Sequence, residues 1–477
     1  MTLADFQSLL PLIVVSLTAL TAMVLIPVAR RHGVTAGVTV GGLALSLASL
    51  WFASGQASHP ALAALLALDA YSRFYMGLIL AGALMAALLS YGYLDWKPIH
   101  RDEFYVLLVL ASLGAMILVA SAHFVSFVLG LEILSVSLFA MIAYRRTTVG
   151  GLEAGVKYLV LGGLSSAVLL FGMALIYAET GTMRLAELAD RVSANPPGIL
   201  VLAGLAGVIV GIGFKLALVP FHLWTPDVYQ GAPAPVSGFI ATVSKGAMFA
   251  LLLRYFGKLQ AAAPDKVFWV FAVIAVASMF AGNLLALRQN SVKRLLAYSS
   301  IANLGYLLIA YLAGGAMGAE ATGFYLVAYF IAVSGAFGVI GAMSEGGRDA
   351  DAMEDFSALA WRRPWAAWTL AAMLLSLAGL PLAAGFVGKF YVVMAGLGAG
   401  LWTLVVLLVV NSALGLYYYL RVIVVMFSEA TVPAPPPGPR MRWTTVVALA
   451  FALVALVALG VYPAPLLTLI RSSVAAF

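Results

Sequence analysis

The chain has 477 residues, of which 64% are apolar and only 9% charged, with a net charge of +7 and no cysteine. Soluble domains sit near half apolar and a quarter charged, so an ordinary soluble fold is excluded; the lack of cysteine excludes disulfides, cysteine-ligated iron–sulfur clusters and thiol nucleophiles in this chain. Five histidines (His32, His59, His100, His123 and His222) show no paired spacing, which argues against haem or zinc, and the positive charge reads as loop lysine and arginine rather than a nucleic-acid surface.

Fourteen apolar segments follow in chain order, at 8–29, 35–54, 72–92, 104–120, 123–144, 155–178, 199–222, 236–257, 267–287, 294–314, 321–344, 364–395, 400–427 and 442–463. Apolar segments of this kind cross about 30 Å of hydrocarbon as helices. The fourth and fifth nearly fuse and are split at "SAHF", because one span over both would be too long. The fold class expected is therefore an all-α membrane protein of about fourteen transmembrane helices. The first positive charge, Arg30, follows the first apolar segment, so no cleavable signal is expected. Fourteen lysines and arginines, from Arg30 to Arg442, lie in loops after odd-numbered segments; seven, from Arg73 to Arg471, lie after even-numbered ones or at the C-terminus. The excess places the odd loops in the cytoplasm and both termini on the periplasmic side. The proline-rich stretch "TVPAPPPGPR" reads as an extended connector before the last segment.

Charges inside the apolar segments carry the chemistry. A lysine or glutamate at the bilayer centre costs about 2.5–3.5 kcal/mol, and only a long side chain near a helix end escapes by snorkelling. Glu132, in "FVLGLEILSVSLF", is too short and too deep to escape. Lys245, in "FIATVSKGAMFALL", lies near mid-span. Lys215 is followed by Pro220, and Lys389 by contrast follows Pro381 and stands next to Gly388. A proline opens the helix, and open backbone at membrane depth is tolerated only against protein or water. Two broken helices are expected here, each with a lysine beside the break. His222 is a candidate proton relay because imidazole titrates near neutral pH. Glu153 and Lys157 are four apart, a helical ion pair that serves either function or a plain surface. His123 is read as interfacial, Tyr417, Tyr418 and Tyr419 with Arg421 as an interfacial belt and anchor, and the glycines of "GVIVGIG" as helix-packing residues. Desolvation disfavours a lysine's charged form and a nearby carboxylate favours it. A moving carboxylate influence therefore moves protons without a cofactor, given energy from outside the chain.

"GIGFKLALVP" and "GLPLAAGFVGKF" form a faint internal repeat five segments apart, an odd offset that inverts the second copy. The block "GFKLALVPFHLWTPDVYQGAPAPVSGFIATVSK" resembles the antiporter-like subunits of proton-pumping NADH:quinone oxidoreductase, respiratory complex I. So do "RLLAYSSIANLGYLL", "SLAGLPLAAGFVGKFYV", "NSALGLYYYLRVIVVMF" and "DEFYVLLVLASLGAMILVASAHFVSFVLGLEILSVSLFAMIAY", which resemble the subunit N type in particular. The family's largest member carries a long lateral helix after its last spans, and the end of this chain at Phe477 leads to the expectation of the smaller type.

The resemblance implies three N-terminal helices (1–103), two inverted five-helix repeats (104–257 and 258–429), and a connector with a last helix (430–477). It implies that Glu132 and Lys215 form a coupling ion pair, that Lys245 connects the halves, that Lys389 serves the second half-channel, and that His222 belongs to the polar axis. Family members often have histidine where this chain has Asn303, which holds water but does not titrate. The resemblance further implies no cofactor in this chain, with NADH, FMN, iron–sulfur clusters and quinone in partner subunits. The partners implied are other membrane subunits of complex I, further antiporter-like subunits among them, together with lipids, in a bacterial inner membrane. The competing reading is an Mrp-type cation/proton antiporter or a related subunit of a membrane-bound hydrogenase.

Overall fold

The computed structural model describes residues 2–53, 59–94, 101–146, 148–194, 197–257, 264–344, 348–429 and 441–474. The proline-rich connector lies outside the described residues. The helices in order are α1 (Leu3–Val28), α2 (His32–Ser49), α3 (Pro60–Leu65), α4 (Ala70–Leu94), α5 (Asp102–Ala120), α6 (Phe124–Ile142), α7 (Val149–Thr180), α8 (Leu185–Ala194), α9 (Ile199–Leu216) and α10 (Trp224–Gly231). They continue with α11 (Ala234–Phe256), then α12 (Pro264–Ala286), α13 (Val292–Ala313), α14 (Gly315–Met343), α15 (Leu359–Arg362), α16 (Pro364–Ala378), α17 (Ala384–Gly398), α18 (Trp402–Phe427), α19 (Trp443–Val461) and α20 (Ala464–Val474).

Thirteen helices among the described residues are long and apolar enough to cross a membrane. The remaining expected segment, the twelfth at 364–395, is filled by two shorter helices in series, α16 and α17. The split at "SAHF" falls between α5 and α6, where His123 accepts a hydrogen bond from the Val125 N–H (3.2 Å) and so caps α6. The short helices α3, α8, α10, α15 and α20 escaped the sequence reading, because none carries an apolar run of membrane length. At 32 residues, α7 is about 48 Å long, so its first turns extend past the hydrocarbon or it tilts.

The bundle turns large apolar side chains outward, such as Phe171, Val406 and Phe451, and keeps its polar ones inside. In lipid, apolar burial does not drive helices together; close backbone approach does. A Cβ on Gly204 would meet the Gly172 carbonyl oxygen at 2.5 Å, and one on Gly207 would meet that of Val168 at 2.9 Å. Gly207 and Gly211 of "GVIVGIG", with Gly204 before them, therefore seat α9 on α7, while Gly213 packs on Phe221. At the centre stand α11 and α13, the two most enclosed of the spanning helices. Twice along α11, at Ile240–Ser244 and Leu252–Phe256, the ladder widens to π-helical turns on either side of Lys245–Leu251. Such turns cluster at functional sites.

Both expected breaks are present, but not where the prolines stand. α9 ends at Leu216, with Ala217 left-handed at φ 58°, three residues before Pro220. α16 ends at Ala378 with Gly379 left-handed at φ 85°, the common glycine end of a helix, and the chain resumes as α17 after Pro381 and Leu382.

Candidate functional site

Lys215 occupies the last turn of α9 rather than the centre of its span. Its ammonium donates to Ser135 Oγ on α6 (2.7 Å) and Tyr158 OH on α7 (3.2 Å), and lies 5.1 Å from the centre of the Tyr158 ring. Glu132 is half-buried one turn before Ser135 and accepts a hydrogen bond from Ser166 (2.7 Å). The expected direct ion pair is absent among the described residues: Lys215 is held instead by Ser135, one turn after Glu132 on α6. His222 is buried in the turn between α9 and α10, and its Nδ1 has no hydrogen-bond partner among the described residues. It hydrogen-bonds neither Lys215 nor Lys245.

Glu153 and Lys157 do pair (2.6 Å), but Lys157 also reaches Asp227 on α10 (2.7 Å), and Asp227 in turn binds Arg294 on α13 (2.7 Å). The pair is thus the start of a four-member chain joining three helices. Asp227 stood in the most distinctive block of the sequence with no role assigned.

Between Lys215 and Lys245 the polar contacts stop. Tyr158, Trp224 and Tyr229 succeed one another with ring centres 4.8 and 6.5 Å apart, and Lys245 sits 5.3 Å above Tyr229. Lys245 donates to Ser300 Oγ (2.6 Å), which also receives the Tyr329 hydroxyl (2.7 Å). Beyond this pair lies a cavity of about 10 Å³ lined by Asn303, Tyr325, Tyr329, Ser376 and Gly385, room for about one water. Asn303 donates to the Ser299 carbonyl (2.8 Å) and accepts from Tyr325 (2.5 Å). Ser299 bonds Tyr419, whose ring lies 4.4 Å from Tyr418; Tyr418 donates to Asn283 (3.0 Å), and Asn283 to Tyr306 (2.9 Å). Lys389 lies 5.2 Å from the centre of the Tyr306 ring and donates to the Ala378 carbonyl (3.0 Å) and Ser412 (2.9 Å).

One sequence reading is corrected here and one set of residues is added. Tyr418 and Tyr419 are not an interfacial belt: they are buried in this polar run, and only Tyr417 faces outward. The neutral members (Ser135, Ser166, Ser300, Asn283, Tyr325, Tyr329) were missed because serine, asparagine and tyrosine are common in membrane helices and carry no charge to mark depth. The adjacent serines in "RLLAYSSIANLGYLL" were the available signal.

Glu132, Lys215, Lys245 and Lys389 each have a hydroxyl as a hydrogen-bond partner. A hydroxyl donates as readily as it accepts, so the same cage suits a lysine with or without its extra proton. This defines a membrane protein of the ion-translocating class, with polar groups strung across a helix bundle. The family model described as NADH:quinone oxidoreductase/Mrp antiporter, TM, matches residues 121–415. NADH-quinone oxidoreductase subunit N of Methylococcus capsulatus (strain Bath) is 46% identical over 98% of this chain and 95% of its own. A chain of respiratory complex I from Thermus thermophilus is 36% identical, with a TM-score of 0.80 over 96% of this chain and 98% of its own. A chain of the Mrp complex from Dietzia sp. shares the fold at a TM-score of 0.87 over 100% and 97%, with 24% identity. The chain belongs to the NADH-quinone oxidoreductase subunit N family.

Proposed function

We propose that Glu132, Lys215, Lys245 and Lys389 pass protons in sequence, with water completing the route where side chains do not touch. The chain would act as one proton-translocating subunit of an NADH:quinone oxidoreductase. Redox chemistry in other subunits, with NADH, FMN, iron–sulfur clusters and quinone, would supply the energy. The observation that carries this reading is Lys245, fully enclosed and held by one serine hydroxyl at the centre of the bundle. A buried cation of that kind is costly unless it is used. His222 would serve the first half through water. Glu153 and Lys157, tied to Asp227 and Arg294, would hold the first half at the cytoplasmic end rather than carry protons.

Both helix breaks support the presence of neighbouring membrane subunits. Pro220 and Leu223 at the first, and Pro381 and Leu382 at the second, are exposed, and irregular backbone at membrane depth is tolerated only when protein or water covers it. The orientation proposed is with both termini periplasmic in a bacterial inner membrane.

The test is proton pumping per NADH oxidised in membranes with normal amounts of assembled complex. Glu132→Gln and Lys215→Ala should both lower it; unchanged pumping in both would remove the path. Co-purification with NADH dehydrogenase activity separates this reading from an Mrp-type antiporter.

A further inference from the structure

One buried ionic cluster lies outside the proposed path. Lys293, the second residue of α13, has no solvent exposure, and Asp349 after α14 has 4%. Lys293 donates to Asp349 Oδ2 (2.8 Å) and to the carbonyls of Gln230 (2.9 Å) and Ala232 (2.6 Å). Asp349 Oδ1 accepts from Arg145 (3.1 Å), beyond the end of α6, and from Tyr93 (2.6 Å), near the end of α4. The sequence reading counted Arg145 and Lys293 as loop charges. They are instead the buried knot where α4, α6, α10, α13 and the segment after α14 meet.

The chemistry of this lysine differs from that of the mid-membrane ones. Its three protons meet two carbonyls and a carboxylate, none of which can donate in return. Breaking a buried ion pair from one side is strongly unfavourable. Lys293 therefore ties these three acceptors together by donation alone.

Its position has a consequence for Lys245. Lys293 and Ser300 are two turns apart on α13, and Lys293 grips the carbonyls of the residues leading into α11, which carries Lys245. At the other end α11 is held as well: Arg254 binds Asp69 and the Ala67 carbonyl (3.3 Å), and Tyr71 donates to the Ala250 carbonyl (2.7 Å). The knot thus sets the register of α11 against α13, and with it the Lys245–Ser300 hydrogen bond. We propose that Arg145, Asp349 and Lys293 form a fixed ionic staple that positions Lys245 against Ser300. This rests on the proton-path reading for Lys245.

The experiment compares NADH-driven pumping per assembled complex in Lys293→Arg, Lys293→Met and Lys245→Arg. A cation that only needs donors tolerates arginine, which cannot deprotonate. Lys293→Arg should keep more than half of wild-type pumping, and Lys293→Met should lose about fivefold or more. Equal loss in the two Lys293 variants overturns the staple alone. Full pumping in Lys245→Arg overturns the underlying path, and the staple with it. Should neither Lys293 variant assemble, Tyr93→Phe decides: it removes one donor to Asp349 and keeps the ring. It should lower pumping about twofold in the wild-type background and leave a Ser300→Ala background unchanged, since coupled residues are non-additive. The same proportional loss in both backgrounds overturns the proposal.

Discussion

The two broken crossings solve one problem in opposite order. In the first, the lysine comes before the break; in the second, it comes after. At the first, the carbonyl of Phe214 is taken by the indole N–H of Trp224 (3.0 Å), so Lys215 is left to bind two hydroxyls. At the second, the carbonyl of Ala378 is taken by Lys389 itself, with Ser412 beside it. Lys215 has a carboxylate one turn from its serine partner. Among the described residues Lys389 has no carboxylate partner, and it borders a cavity of about 310 Å³ lined mainly by apolar side chains such as Phe386, Phe390, Val393 and Leu408. The comparison teaches that a break does not by itself prepare a lysine to exchange protons. What matters is who takes the freed carbonyl.

The largest effect expected from this contrast is at Lys389. Arginine keeps the charge but cannot release a proton, and methionine keeps the length but cannot take one. Both variants should lose pumping by at least about tenfold, the lower end of what a positioned acid–base group contributes. Near-normal pumping with arginine would show that Lys389 is a structural cation tied to Ala378, and the contrast would then be one of function and not of order.

A smaller loss is expected for Glu132→Gln. Two unit charges 4 Å apart interact by about 4 kcal/mol at an effective dielectric of 20, and Glu132 is farther than that from Lys215. Pumping should fall several-fold, less than in Lys215→Ala. An equal fall in the two variants would mean that the carboxylate moves into contact during turnover.

Smaller again is Asn303. Leucine there would strip a partner from the buried Tyr325 hydroxyl, a cost of about 1–3 kcal/mol, and dry the small cavity. Turnover should slow in Asn303→Leu, while Asn303→His should be tolerated. Full NADH-driven activity in Asn303→Leu would take this residue off the route.

The smallest effect belongs to Trp224→Phe, which removes the indole donor from the Phe214 carbonyl and leaves it only the Ala217 N–H (3.0 Å). The expected outcome is a lower melting temperature of the assembled subunit, from one lost hydrogen bond of about 1 kcal/mol, with a modest fall in pumping. No change in melting would show that the indole contributes nothing to the break.

The membrane-length segments and the two breaks were legible because hydrocarbon length and proline leave plain marks in a sequence. Glu132, Lys215, Lys245 and Lys389 were legible as candidates because charge in an apolar run is costly enough to stand out. Other features were not. The break points sit at Ala217 and Gly379, since a left-handed residue ends the helix before the proline is reached. The separation of Glu132 from Lys215 depends on how α6 and α9 cross, which no single segment encodes. Lys293 looked like a loop charge because its partners, Asp349 and the carbonyls near α10, come from segments far apart in the chain.

The central claim is that the buried lysines carry protons, and Lys245 tests it most directly, since it stands between the halves with Ser300 as its one hydrogen-bond partner among the described residues. The measurement is NADH-driven proton transfer by the intact complex carrying Lys245→Arg, at wild-type levels of assembly. The account predicts that pumping through this subunit is lost although the positive charge remains. Wild-type pumping in that variant would contradict it.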